Sequence, residues 1–324
     1  MSTGFLQTIH RDHPGGAAMA LGLLAVLCVF APVRAGGDAG PTRVLTDDLG
    51  RRVRVPRHPQ RILSYAPNLT EILFAIGAGD RVVGRTRFCD RPPEAAKVPV
   101  LGGILDPDFE KIATLRPQVV MATVVGDPPD KVEALERLGY PVFVTYPRTV
   151  SDILGDVEQI GRAAGAEAGA RETATRMRAD LDDVRRRVGK RTPVRVFVVV
   201  WQDPLRTVGR GTFFEDLIRQ AGGEPVLARG DAKYPQMNME TVLVQAPEVI
   251  VLGLPGEPGR GDETFWRKFR TIPAVRSGRI VSLDLETMSR PGPRIVTSLR
   301  ELARALHPDA FRDESGSPAP GSGR

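Results

Sequence analysis

Apolar positions along this chain follow two patterns that alternate. Short apolar runs at Arg61-Ile62-Leu63-Ser64, Val82-Val83-Gly84, 119–123 and 142–145 predict buried strands, each set apart from the next by helical or loop sequence. Strands alternating with helices argue a parallel sheet with helices on its faces. From Ser151 to Val188 the character changes and no strand signal appears. There Ala170, Ala174, Met177, Leu181, Val184 and Val188 recur at spacings of four and three, one apolar stripe along a long helix. Strand signals resume at 194–201 and continue at 249–253 and 280–283. Ahead of all this, 43–56 reads as a small hairpin turning near Asp48-Leu49-Gly50. The expected class is α/β, laid out as lobe, long helix, lobe.

The two lobes read as copies of one unit. Phe109-Glu110-Lys111-Ile112 runs on to Pro117-Gln118-Val119-Val120-Met121, and Met239-Glu240-Thr241-Val242 runs on to Pro247-Glu248-Val249-Ile250-Val251, with the same separation from Glu to Pro. Each predicts a short helix, a Pro-containing turn and a buried strand. Upstream, Asn68-Leu69-Thr70-Glu71 leads to Gly79 and Val82, and Thr212-Phe213-Phe214-Glu215 leads to Gly223 and Val226. Both have the spacing of a capping box, in which a cap side chain and a Glu satisfy each other's backbone N–H groups. A Gly then closes each helix. A duplicated α/β unit means two facing lobes with a cleft between them, where function is to be sought.

Residues 17–33 are nearly all apolar, follow Arg11 and end at Val33-Arg34-Ala35, which predicts a secretory signal peptide over 1–35. A retained membrane anchor and lipid processing at Cys28 are the alternatives. A Gly-rich linker (36–42) would follow, then a first lobe (43–165), an interlobe helix (166–190), a second lobe (191–308) and a disordered Ser-, Gly- and Pro-rich tail (309–324). Without Cys28 the exported chain keeps only Cys89 and can form no internal disulfide. The net charge of +6 does not make this a nucleic-acid binder, because basic residues are scattered, with Arg185-Arg186-Arg187 the one tight run.

Signs of catalysis are sparse. Beyond the leader only His58 and His307 remain, both outside the motif loops, and there is no His-Glu-x-x-His and no paired-Cys spacing. Gly209-Arg210-Gly211-Thr212 before a helix hints at a phosphate loop but lacks the third Gly of a dinucleotide fingerprint and the Gly-Lys-Ser/Thr ending of a P-loop. A two-lobed α/β enzyme, such as a nucleotide-sugar transferase, is the remote alternative to a binding protein.

With its export signal and paired Glu residues, the chain resembles the periplasmic binding proteins of ABC importers for cobalamin, haem and ferric siderophores. Phe88-Cys89-Asp90-Arg91-Pro92-Pro93-Glu94-Ala95, Leu101-Gly102-Gly103, Tyr234-Pro235-Gln236 and Ser289-Arg290-Pro291-Gly292-Pro293-Arg294-Ile295 are similar to the cobalamin-binding members, over roughly residues 43–308. The resemblance implies two Rossmann-like lobes with mostly parallel sheets, one long rigid helix and a ligand cleft between the lobes. It implies a monomer that performs no chemistry, has no cofactor or metal of its own, and carries cobalamin. A ferric siderophore or haem is the alternative cargo. It also implies a partnership with an ABC permease and its ATPase, and a periplasmic location.

Residue by residue, the resemblance makes Glu110 and Glu240 the carboxylates that dock the two lobes on the permease. It places Tyr65, Phe88, Trp201 and Tyr234 as rings lining the cleft and Arg206, Glu286 and Arg290 as its polar contacts. Flat rings give large contact area at little entropic cost, which suits a planar corrin. The chain departs from the pattern in two places, with Ile104 standing where a Trp is expected and Arg206 at an aromatic position. Arg87, Arg206 and Arg290 together keep the anionic-ligand alternative open, since carboxylates call for Arg.

Overall fold

In the second strand of an N-terminal hairpin Val53 and Val55 alternate with Arg52 and Arg54, the period of a strand with one buried face. β1 (Thr42–Thr46) pairs antiparallel with β2 (Arg52–Pro56), and Gly50, at φ 75°, turns the hairpin between them. This computed structural model describes residues 40–124, 129–227, 230, 232–254 and 261–314. The expected signal peptide (1–35), the linker up to residue 39 and the tail from 315 onward lie outside the described residues.

The first lobe continues with β3 (Ile62–Ser64), α1 (Pro67–Ala75), β4 (Val82–Arg85), α2 (Phe109–Leu115), β5 (Val119–Thr123), α3 (Pro129–Arg137), β6 (Val142–Thr145) and α4 (Val150–Ala164). Every residue of β5 and β6 is buried, as a sheet covered on both faces requires. After Gly165, at φ 64°, comes α5 (Glu167–Val188). The second lobe holds β7 (Val194–Val198), β8 (Trp201–Gln202), β9 (Leu205–Arg206), α6 (Phe213–Gln220), β10 (Gly223–Pro225), α7 (Met239–Gln245) and β11 (Val249–Leu252). It ends with α8 (Glu263–Trp266), α9 (Pro273–Arg276), β12 (Ile280–Ser282), α10 (Leu285–Met288) and α11 (Ile295–Leu306).

The sheets run β4-β3-β5-β6 and β10-β7-β11-β12, all pairs parallel. Counted among its own members in chain order, each sheet runs second, first, third, fourth strand. The duplication read from the sequence is therefore a duplication of topology.

The predicted stripe on α5 is buried throughout, Ala170 to Val188. Its residues belong to one apolar cluster that contains α1 and α4 side chains of the first lobe and α6 and α11 side chains of the second. Gly161 of α4 lets the helices meet, since a Cβ there would lie 2.2 Å from the Ala170 Cβ. The far side of each sheet has a separate cluster, around Ile112 and Leu135 in the first lobe and Trp266 and Phe197 in the second. Tilting one lobe against the other would open the shared cluster, and exposing apolar area is costly.

Two boundaries differ from expectation. Thr42, assigned to the linker, already pairs with Pro56 in the hairpin. The tail begins later than 309. Phe311 is buried, the Arg187 guanidinium lies 5.4 Å from its ring centroid, and Arg187 also pairs with Asp313 at 2.8 Å. One aromatic side chain with an apolar seat holds residues 309–314 on the fold despite their polar composition.

Candidate functional site

In parallel α/β sheets the open ends of the strands are their carboxyl ends, where loops are free to present side chains. Most of the expected site residues follow such an end: Tyr65 after β3, Phe88 after β4, Trp201 after β7, Tyr234 after β10, and Glu286 and Arg290 after β12.

In the first lobe the connection from β4 to α2 folds back on itself. Gly102 sits at φ 88°, and a Cβ on it would come 2.3 Å from the Asp106 carbonyl oxygen, so only glycine fits. The Arg87 N–H donates to the Gly102 carbonyl at 2.8 Å and the Arg87 guanidinium to Asp106. This fold leaves Phe88 49% exposed and Ile104 half-buried. Cys89 turns the other way. It is buried with its sulfur 3.1 Å from the Thr86 hydroxyl, and burial pushes its thiol pKa up, so it is a packed, unreactive side chain.

Tyr65 corrects an expectation. Its ring is only 2% exposed, inside the first-lobe cluster, and its hydroxyl donates to the Ile104 carbonyl at 3.0 Å. It braces the loop that carries Ile104 and offers no open face.

In the second lobe three expected residues come together. Trp201 and Arg206 are directly paired across β8 and β9. The Arg206 Nη1 donates to the Tyr234 carbonyl at 3.1 Å, and the Trp201 indole N–H donates to the Asp203 carbonyl at 2.8 Å. Both rings stay open, Trp201 at 41% and Tyr234 at 36%. The Tyr234 loop is laced to β9 and its continuation through Thr207 N–H to the Pro235 carbonyl and Gly209 N–H to the Lys233 carbonyl. A Cβ at Gly209 would lie 2.0 Å from the Ala232 carbonyl oxygen. Gly209 is thus explained by two backbones meeting, and Thr212 by capping α6, where its hydroxyl accepts from the Glu215 N–H. The phosphate-loop hint is spent on structure.

Glu286 and Arg290 also come together, in a network that crosses between lobes. Arg290 donates to Asp90 at 2.6 Å, to Glu71 at 3.4 Å and to its own-lobe neighbour Glu286. Partial burial alone would raise the Asp90 carboxyl, but hydrogen bonding to and charge from Arg290 outweigh it and hold the pKa below the ordinary range. Arg294, at the start of α11, forks onto both oxygens of Glu71 at 2.8 Å each. The Asn68 amide donates to the Pro291 carbonyl at 3.3 Å.

The Asn68-to-Glu71 spacing is therefore not a capping box. Pro67 occupies the first turn of α1, and Ala66 precedes it with no capping side chain. The Ala66-Pro67 pair is the signal that could have placed the helix start two residues earlier and freed Glu71 for another role. On the opposite flank, Asp216 of α6 accepts from the Val150 N–H of α4 at 2.8 Å, and Lys233 lies 4.9 Å from the Tyr146 ring centroid.

The helices of Glu110 and Glu240 match in detail. Asp108 and Asn238 cap α2 and α7 by accepting from the Lys111 and Thr241 N–H groups, and both helices end on left-handed residues, Arg116 at φ 44° and Ala246 at φ 46°, each followed by Pro. Gln118 and Glu248 then donate their N–H groups to Arg61 and Arg195, each at 2.8 Å. Glu110 and Glu240 occupy the second position of their helices, both exposed, and among the described residues neither carboxylate has a hydrogen-bond or ion-pair partner.

A hollow of about 700 Å³ adjoins the Glu71–Arg294 pair, lined by Phe74, Asp90, Pro92, Glu94, Pro293 and others, but by none of the exposed rings. Its one deeply buried polar group, Glu71, is already paired, so the exposed rings Phe88, Trp201 and Tyr234 are the better candidates for binding. Among the described residues no group of three His, Cys, Asp or Glu side chains is placed to hold a metal ion, and no helix is long and apolar enough to cross a membrane.

Comparisons with known proteins agree on one family. Residues 62–287 match the model of the family described as periplasmic binding protein. The chain is 27% identical over 252 residues to the vitamin B12-binding protein of Vibrio cholerae serotype O1, covering 78% of this chain and 90% of that one. The solved structure of the periplasmic vitamin B12 binding protein BtuF of Vibrio cholerae is similar at a TM-score of 0.70, with 27% identity and coverage of 78% and 98%. The periplasmic heme-binding protein RhuT from Roseiflexus sp. RS-1, in its apo form, is similar at 0.65, with 25% identity and coverage of 78% and 99%.

Proposed function

The chain belongs to the periplasmic binding protein family, and from that premise we propose that it captures cobalamin between its lobes and delivers it to an ABC permease. The observation that carries the choice of ligand is the charge balance of the site. Of the three arginines that could serve an anionic cargo, Arg87 is paired with Asp106 and Arg290 with Glu71, Asp90 and Glu286. Arg206 alone of the three has no carboxylate partner among the described residues. A polyanionic ferric chelate or a haem with two carboxylates calls for several open cations. A corrin rimmed with neutral amides calls for rings to stack on and mixed donors and acceptors, and Phe88, Trp201, Tyr234 and Glu286 supply them. The family is one of solute-binding proteins rather than enzymes, and the relatives named for vitamin B12 support the same reading.

In this reading the protein is a periplasmic monomer without cofactor or catalysis. Ligand contacts come from Phe88, Ile104, Trp201, Arg206, Tyr234, Glu286 and Arg290, with Tyr65 acting from behind. Glu110 and Glu240, open and equivalently mounted, each dock one lobe on the permease, whose ATPase subunits power uptake. A ferric siderophore or haem is the second reading, favoured by the similarity to the heme-binding protein RhuT. Titration calorimetry decides between them. Cobalamin should bind one-to-one and tightly, while no heat with cobalamin and clear binding of haem or a ferric siderophore would overturn the proposal.

A further inference from the structure

Arg206 is the feature of the site that a neutral corrin face does not explain. Residues directly opposed across an antiparallel pair project from the same face, so Arg206 and Trp201 rise side by side. One guanidinium nitrogen is held by the Tyr234 carbonyl, which orients the group beside the second exposed ring. Arg87, Arg290 and Arg294 are each matched by a carboxylate, whereas Arg206 keeps an uncompensated charge among the described residues. An oriented guanidinium with free N–H groups is a receptor for one phosphate or carboxylate. Cobalamin has one such fixed anion, the phosphodiester that joins its nucleotide loop to the corrin.

We propose that Arg206 pairs with this phosphodiester and makes the protein select complete corrinoids over those lacking the nucleotide loop. The inference rests on the cobalamin reading and adds its selectivity. Trp201 and Tyr234 supply contact with the corrin, which both classes of ligand share. Arg206 supplies the contact that only the complete ligand can make. Because Arg206 is exposed, salt weakens its contribution.

The test is calorimetric titration of wild type, Arg206→Gln and Arg206→Lys with cyanocobalamin and with dicyanocobinamide, at low and high salt. Wild type should bind cyanocobalamin about 10- to 100-fold more tightly than dicyanocobinamide, the range of one charge-assisted hydrogen-bonded pair. Arg206→Gln should collapse this ratio toward one, Arg206→Lys should keep part of it, and high salt should shrink it in wild type. Equal binding of the two ligands by wild type overturns the inference and leaves the cobalamin reading standing. So does a loss in Arg206→Gln that falls alike on both ligands. Failure of wild type to bind either corrinoid removes the cobalamin reading itself. Dicyanocobinamide binding by the variants reports that they are folded.

Discussion

Glu71 and Arg294 join the two lobes through a two-point ion pair, Oε2 to Nε and Oε1 to Nη2, each at 2.8 Å. Asp216 makes the counterpart on the other flank, accepting from the first N–H of α4. In both cases the first helix of one lobe offers a carboxylate to the start of the last helix of the other. These contacts and the α5 stripe tie the lobes at three places, so ligand binding is expected to move them little.

Glu71→Gln should cost about 2 kcal/mol, less than the roughly 3–5 kcal/mol of breaking a fully buried pair, because Glu71 is 6% exposed but the Arg294 side chain keeps 31% of its surface in water. Urea unfolding should show a lower midpoint with an unchanged slope. A midpoint equal to wild type would mean the pair is ornamental.

Removing both free carboxylates, Glu110→Ala with Glu240→Ala, should leave cobalamin affinity within about twofold and cut uptake at least tenfold, since charge pairing governs docking rather than ligand contact. Uptake assays in cells supplied only with the variant measure this. Wild-type uptake by the double variant would end the docking role.

Asp156 of α4 is buried, and burial, followed by the charge and hydrogen bond of Asp48 and the charge of Asp152, raises its pKa to about 9. Arg148, Tyr146 and Gln159 line a separate hollow together with Asp48, Asp152 and Asp156, and Gln159 spends its amide on Asp48. The folded state thus holds a proton that the unfolded chain releases near pH 4. Its contribution to stability is full below that value and lost as pH rises toward about 9. Asp156→Asn should flatten this decline in chemical denaturation series run across the window. An unchanged slope would show the proton is not held there.

Gly102→Ala should destabilise by about 2 kcal/mol or more, since it needs both a left-handed φ and space already filled by the Asp106 carbonyl. Ligand affinity should fall too, because the same turn seats Phe88 and Ile104. Thermal melts and calorimetry report the two effects separately, and a variant as stable as wild type would contradict the turn's role.

Much of the fold was legible from residues alone, for local reasons. Strands buried on both faces need unbroken apolar runs, so β5 and β11 announced themselves. A helix lying along one core needs a stripe at helical spacing, so α5 did too. The matched helices of Glu110 and Glu240 were readable because a Pro-containing turn and a buried strand follow each within a few residues. What escaped depends on neighbours far away in the chain. Glu71 looked like a local cap, yet its partner Arg294 lies 223 residues on. Tyr65 and Phe88 are both rings beyond strand ends, and only packing buries one and opens the other. Arg87, Arg206 and Arg290 are one residue type in sequence, and the folded structure alone decides which charges are matched. Sequence determined the duplicated framework because periodicity records burial. The tertiary structure decided the chemistry of the site because charge balance and exposure are properties of residues brought together.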